Sequence, residues 1–245
     1  MTTSAFPTST PEELSVPSEA IRQVIQTIRE RHQLDLHSFL MLRRGTLIWE
    51  EYFRPGEADR IHVLHSVSKS FTSFALGMAQ AQGLLSLTDK LYDFFPQYAA
   101  SCDSDFKRQV TLADLAMMGS GFENHEDVIL PRRAGADTAM IEEALAQPII
   151  HQPGTTFDYY TLGTYLLSAA FSQVCPMGVH HYLRRHLFAP MGFGRSQWNT
   201  DDNEIPMGGF GLYLSARDLA RFGQLCLQGG AWEGQQLVPV DYVTQ

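Results

Sequence analysis

Apolar positions recur at helical spacing along most of the chain and alternate only near its start. Ile21, Val24, Ile25 and Ile28 share one helical face, with Ser18 as a suitable N-cap. Two β-like runs follow, His37 to Arg43 and Thr46 to Phe53, joined around Arg44-Gly45 as a hairpin that ends at Arg54-Pro55-Gly56. Phe71, Phe74, Ala75 and Met78 then restore the helical period. Gly83 to Asp89 reads as a turn into a short amphipathic piece closed by Pro96. Thr111-Leu112-Ala113-Asp114 has the form of a capping box, with Leu115 and Met118 next on the helical face and glycines at 119 and 121 as the stop. A helix is expected over Thr138 to Gln147, ended by Pro148. Beyond the Pro153-Gly154 turn and an irregular or extended Thr155 to Tyr160, helices are expected from Leu162 and over Val179 to Phe188. Ser215-Ala216-Arg217-Asp218 repeats the capping-box pattern before a helix that stops at Gly229-Gly230. The pattern predicts a short β element and a mostly helical body, without repeats. Residues 1–17, rich in Ser, Thr and Pro, are expected to be a mobile tail ahead of one domain over 18–245.

Composition narrows the function. The 245 residues are 44% hydrophobic and 18% charged, as in an ordinary globular protein with a sizeable core. A formal charge of −9 leaves no basic face for nucleic acid. Cys102, Cys175 and Cys226 have no metal spacing and no even disulfide framework, so they read as reduced thiols. The N-terminus lacks the basic and apolar regions of a secretory signal, and no apolar run reaches a membrane-spanning length. A cytoplasmic protein is expected, periplasmic if a leader was removed, with no membrane partner. The sequence is silent on oligomeric state.

The strongest chemical signal is Ser66-Val67-Ser68-Lys69, where a serine and a lysine three residues apart introduce a buried helix. Positions i and i+3 share a face, so the lysine nitrogen reaches the hydroxyl. A helix start gathers unpaired N–H groups and positive dipole, which stabilise an oxyanion and disfavour a charged lysine. A lysine kept neutral there can act as a base. A second match, Ser104-Asp105-Phe106-Lys107, lies in a polar, charged stretch and reads as solvated loop. Downstream, Asp158-Tyr159-Tyr160-Thr161 places a tyrosine just before a helix, where a phenol can shuttle a proton; ordinary packing is the plainer role.

These stretches resemble the first two motifs of the serine beta-lactamase and penicillin-binding superfamily. The likeness is greatest to its class C-like branch, which also holds carboxylesterases, D-aminopeptidases and hydrolases of aminohexanoate oligomers. Gly83 to Asp89, Val110 to Phe122, Pro190-Met191-Gly192-Phe193 and Ser215 to Gly223 are similar to that branch as well. The resemblance implies an α+β fold with a helical region on an antiparallel sheet. It also implies a serine hydrolase of esters or amides, with Ser66 as nucleophile, Lys69 as base and Tyr159 as proton relay. The substrate would be a small ester or amide; no metal or organic cofactor is implied.

Two departures qualify the resemblance. Thr161 stands where the branch carries asparagine or serine, and a threonine lacks the two-sided amide contact to a substrate carbonyl, which favours ester over lactam. A Lys/His-x-Gly third motif has no counterpart before Gln245. Its strand would supply an oxyanion donor worth about 2.7–4 kcal/mol. The domain is therefore expected to be C-terminally truncated, its sheet incomplete, or completed by a partner. A lactamase, a D-amino-acid peptidase or a non-catalytic binding protein on the same scaffold are the alternatives. No Gly-x-Ser-x-Gly elbow supports an α/β-hydrolase, Glu142-Glu143 reads as a helix face, and His180, His181 and His186 lack a carboxylate at ligand spacing.

Overall fold

A computed structural model describes residues 6–31, 34–125 and 140–244. Helix α1 (Ser18–Glu30) buries Ile21 and Ile25, while Val24 stays half exposed. Pro17 takes the cap position expected for Ser18; the Ser18 N–H donates to Glu12 Oε1 at 2.9 Å. The hairpin is β1 (Ser38–Arg43) antiparallel to β2 (Thr46–Tyr52), with Arg43 opposite Thr46. Arg44 and Gly45 both have positive φ, 52° and 76°, the two-residue turn that matches strand twist. Of the segment expected as a mobile tail, residues 1–5 lie outside the described residues. From Pro7 on, the chain lies beside β2: Leu47 N–H donates to Pro7 O at 2.9 Å and Ser9 N–H to Leu47 O at 3.3 Å.

Strand β3 (His62–Val63) leads through a 3₁₀ turn, His65–Val67, into α2 (Ser68–Ala81). Next come α3 (Asp105–Gln109) and α4 (Leu112–Ala116). The Thr111–Asp114 capping box forms as expected, with each residue's side chain taking the other's N–H at 3.1 and 2.8 Å. The stretch Ser104 to Lys107 is not the solvated loop expected. Ser104 Oγ caps α3 by accepting the Lys107 N–H, and Lys107 is 2% exposed. Its Nζ donates to Ser101 O at 2.8 Å and Leu145 O at 3.1 Å. The charged neighbours Asp103, Asp105 and Arg108 hid this role; Ser101 O, the carbonyls at the end of the next helix and Asp103 Oδ1 at 3.3 Å together satisfy the buried amine.

That next helix is α5 (Met140–Ala146); positions 138 and 139 of the expected element lie outside the described residues. Helix α6 (Thr161–Val174) is buried on every side from Thr161 to Phe171, which makes it the axis of the core. Helix α7 (Gly178–Leu183) runs on into a π turn, Arg184–Phe188. Strands β4 (Gln197–Trp198) and β5 (Leu212–Leu214) complete a second antiparallel sheet of order β3-β5-β4. Helix α8 (Ala216–Leu227) stacks Phe222 on Phe71 of α2, ring centroids 3.9 Å apart. Ser215 Oγ caps it through the Asp218 N–H, but the Asp218 carboxylate turns to the Ser215 hydroxyl, the Gly194 N–H and buried Arg221. The chain ends in a small hairpin, β6 (Ala231–Trp232) with β7 (Gln235–Gln236), and α9 (Val240–Val243). Helices pack on small antiparallel sheets, an α+β arrangement. Among the described residues no helix is long and apolar enough to cross a membrane.

Candidate active site

The site lies where β3 gives way to α2. Leu64 N–H donates to Leu212 O at 2.8 Å, which fastens the end of β3 to β5. His65 then turns the chain with φ 45°, a left-handed conformation in which histidine is several-fold enriched among non-glycine residues. Ser66 follows on the outside of this corner, exposed, within the 3₁₀ turn rather than on the α-helix expected for it. Ser68 is fully buried and locks the corner: its Oγ donates to His65 O at 2.6 Å and accepts from Leu212 N–H at 3.2 Å.

One turn on, Lys69 Nζ lies 3.2 Å from Ser66 Oγ. The same nitrogen is 2.8 Å from Gly209 O and 3.4 Å from Thr161 Oγ1. The ring of Tyr159 faces it, centroid 4.9 Å away. The three residues expected from the sequence, Ser66, Lys69 and Tyr159, therefore share one cluster. Tyr159 is 44% exposed whereas Tyr160 is 2% exposed, so Tyr160 is the packing tyrosine of the pair. Thr161 opens α6 and presents its hydroxyl to the lysine.

The loop Gly208-Gly209 is the part of the site that sequence reasoning missed. Its two carbonyls accept from two residues of one α2 face, Gly208 O from Thr72 Oγ1 at 2.9 Å and Gly209 O from Lys69. Both glycines are required by close approach. A Cβ on Gly208 would stand 2.5 Å from Thr164 O, and one on Gly209 2.7 Å from Thr161 Cγ2. The available signal was Ser68, Lys69 and Thr72 beside the apolar Phe71 and Ala75, polar groups that must find partners once buried.

At the corner, His65 contributes its carbonyl to the Ser68 hydroxyl, while Lys69 is the side chain that reaches Ser66. The histidines of α7 and the turn after it have other partners. His180 Nε2 lies 3.0 Å from Ser196 Oγ, and the His186 ring packs on Tyr182 with centroids 4.6 Å apart. Among the described residues no group of three His, Cys, Asp or Glu side chains is placed to hold a metal ion.

A hydroxyl, an amine and a tyrosine ring thus lie together at a helix start on an α+β scaffold. The beta-lactamase family model matches residues 21–242, and the chain belongs to the beta-lactamase family. A 6-aminohexanoate-dimer hydrolase of Paenarthrobacter ureafaciens is 26% identical over 96% of this chain; the chain spans 63% of that protein's length. A solved Bacillus anthracis structure, described as a 6-aminohexanoate-dimer hydrolase, superposes with a TM-score of 0.79 at 18% identity, covering 98% of this chain and 67% of its own. EstCE1, described as a hydrolase with promiscuous acyltransferase activity, superposes with a TM-score of 0.75 at 15% identity, covering 92% of this chain and 75% of its own. These likenesses establish the beta-lactamase-like fold.

Proposed function

We propose that the protein is a serine hydrolase that cleaves an ester or amide through an acyl-enzyme on Ser66. The observation that carries this reading is the 3.2 Å contact of Lys69 Nζ with Ser66 Oγ, in an amine pinned from behind by Gly209 O and Thr161 Oγ1. A neutral amine has two N–H groups for those two acceptors and one lone pair left for the serine proton. Ser66 Oγ attacks the substrate carbonyl carbon as its proton passes to Lys69. The oxyanion that forms is stabilised by the Ser66 backbone N–H at the helix start. As the bond to the leaving group breaks, the Tyr159 hydroxyl gives that group a proton and regains one from Lys69. Water then attacks the acyl-enzyme by the same route and frees Ser66.

Thr161 in place of an asparagine favours an ester of carboxylesterase type over a lactam. A small amide is the second reading, because the relative at 26% identity is named for hydrolysis of the 6-aminohexanoate dimer. The test is covalent labelling with a fluorophosphonate, located by mass spectrometry, beside turnover of a nitrophenyl ester. The label is expected on Ser66, and Ser66→Ala and Lys69→Ala are each expected to abolish it. Modification of another residue, or equal ester turnover by wild type and Ser66→Ala, would overturn the reading and favour a binding protein.

A further inference from the structure

We propose that Asn124 is a positioning residue for the proton relay, and that it acts by holding the backbone of Tyr159 against the Lys69 amine. The inference rests on the proposed roles of Ser66, Lys69 and Tyr159.

Tyr159 sits in a segment with little regular structure of its own. Residues 150–160 form neither helix nor strand, and Tyr159 itself is exposed. Its place is set by backbone bonds to a second irregular segment. Asp158 N–H donates to Met118 O at 2.9 Å, Gly154 N–H to Gly119 O at 2.8 Å, and Ile150 N–H to Gly121 O at 2.9 Å. Gly121, at φ 79°, allows the closest approach, since a Cβ there would stand 2.1 Å from His151 O. These bonds fix the loop up to residue 158. Asn124 completes the set, with Nδ2 donating to Tyr159 O at 2.9 Å and reaching Asp158 Oδ1 at 3.5 Å. Tyr160 follows at once as the buried N-cap of α6. The tyrosine is thus held from both ends, by Asn124 on one side and the helix start on the other.

A phenol that relays protons has to be kept within a fraction of an ångström, and a misplacement of about 1 Å can cost a hundredfold in rate. The Nδ2 amide is the donor of this tether, so Asn124→Asp removes the donor while keeping the shape, and sets a carboxylate beside the Tyr159 carbonyl and the Asp158 carboxylate.

The test compares an ethyl ester, whose leaving alkoxide needs a proton, with a nitrophenyl ester, whose leaving phenolate does not. Asn124→Ala and Asn124→Asp are each expected to lower kcat on the ethyl ester about tenfold, with KM within about twofold and nitrophenyl turnover within about twofold. Asn124→Gln, which retains a donor, is expected to recover part of the loss. In a double-mutant cycle, adding Asn124→Ala to Tyr159→Phe is expected to lower the rate no further. Additive losses, or equal losses on both esters, would overturn the inference while leaving the Ser66 mechanism standing. A Tyr159→Phe variant with wild-type ethyl-ester turnover would remove the relay itself and the inference with it. Circular dichroism of Asn124→Asp and Asn124→Gln separates these outcomes from loss of fold.

Discussion

One added methyl group tests how tightly the lysine is held. Gly209 supplies the carbonyl nearest Lys69 Nζ, and a Cβ on it would meet Thr161 Cγ2 at 2.7 Å and Thr161 O at 3.0 Å. Both contacts involve the first residue of α6, buried in the core, so the loop rather than the helix must yield. Gly209→Ala is therefore expected to move the carbonyl off the amine and slow fluorophosphonate labelling of Ser66 about tenfold or more, with helical content unchanged. Labelling at the wild-type rate would show that the Gly209 carbonyl does not set the lysine. Ser66 and Lys69 were readable because an i, i+3 pair meets through helix geometry alone. Gly209 was not, since its contribution is a backbone carbonyl, which every residue has, brought in from 140 residues away. Lys107 failed the other way. Its sequence surroundings are polar, yet its nitrogen is enclosed by carbonyls of Ser101, Leu145 and Ala146 and by the Asp103 carboxylate at 3.3 Å. Lys107→Met is expected to deprive Ser101 O and Ala146 O of this donor, while Leu145 O keeps the Tyr92 hydroxyl at 2.8 Å, and to lower unfolding free energy by about 1–3 kcal/mol, as measured by urea denaturation.

At the scale of elements, α2 is held on one side by the Gly208-Gly209 loop and on another by the C-terminal helix. Tyr242 of α9 lays its ring on Gly77, where a Cβ would stand 2.5 Å from the ring carbons, and its hydroxyl lies 2.9 Å from Ser73 Oγ. By helix propensity alone, Gly77→Ala should stabilise α2 by about 1 kcal/mol. The ring root cannot swing aside as a flexible chain end would, so α9 has to shift and lose its seat, an overpacking cost of about 1–3 kcal/mol. The variant is expected to melt below wild type, and pairing it with Tyr242→Ala is expected to cancel the steric part of the loss. A higher melting temperature for Gly77→Ala alone would contradict the seat. Elements long enough to show a period were legible: α1, α2, α6, α8 and the hairpin all lie close to where the pattern puts them. The β3-β5-β4 sheet was not, because its strands are two or three residues long and β3 pairs with β5 across about 150 positions of sequence. Yet that sheet sets the corner at Ser66, by way of Leu64, Leu212 and Ser68.

For the molecule as a whole, the response to acid follows from where its histidines lie. His180 on α7 faces the Ser196 hydroxyl, the Trp198 ring, and the side chains of His181 and Arg184. Burial, with smaller contributions from His181 and Arg184, lowers its pKa from the ordinary 6.5 to about 4. Burial lowers His62 and His186 in the same direction. Each has a folded pKa below its unfolded value, so the unfolded chain binds more protons as pH falls. The stability they contribute is fully present above pH 6.5 and, for His180, drains away as pH falls from 6.5 toward about 4. Glu50 shifts downward too, chiefly through its hydrogen bonds with Arg217, but its contribution is lost only below the ordinary carboxylate value of 4.5. The two ranges thus separate, histidines first and carboxylates after. Melting temperature is expected to decline from pH 6.5 to 4.5, before any carboxylate effect, and His180→Gln is expected to flatten that decline while keeping a partner for Ser196. A flat melting profile across this range, or one that His180→Gln leaves unchanged, would mean that the imidazole takes up its proton in the folded protein as readily as in the unfolded chain.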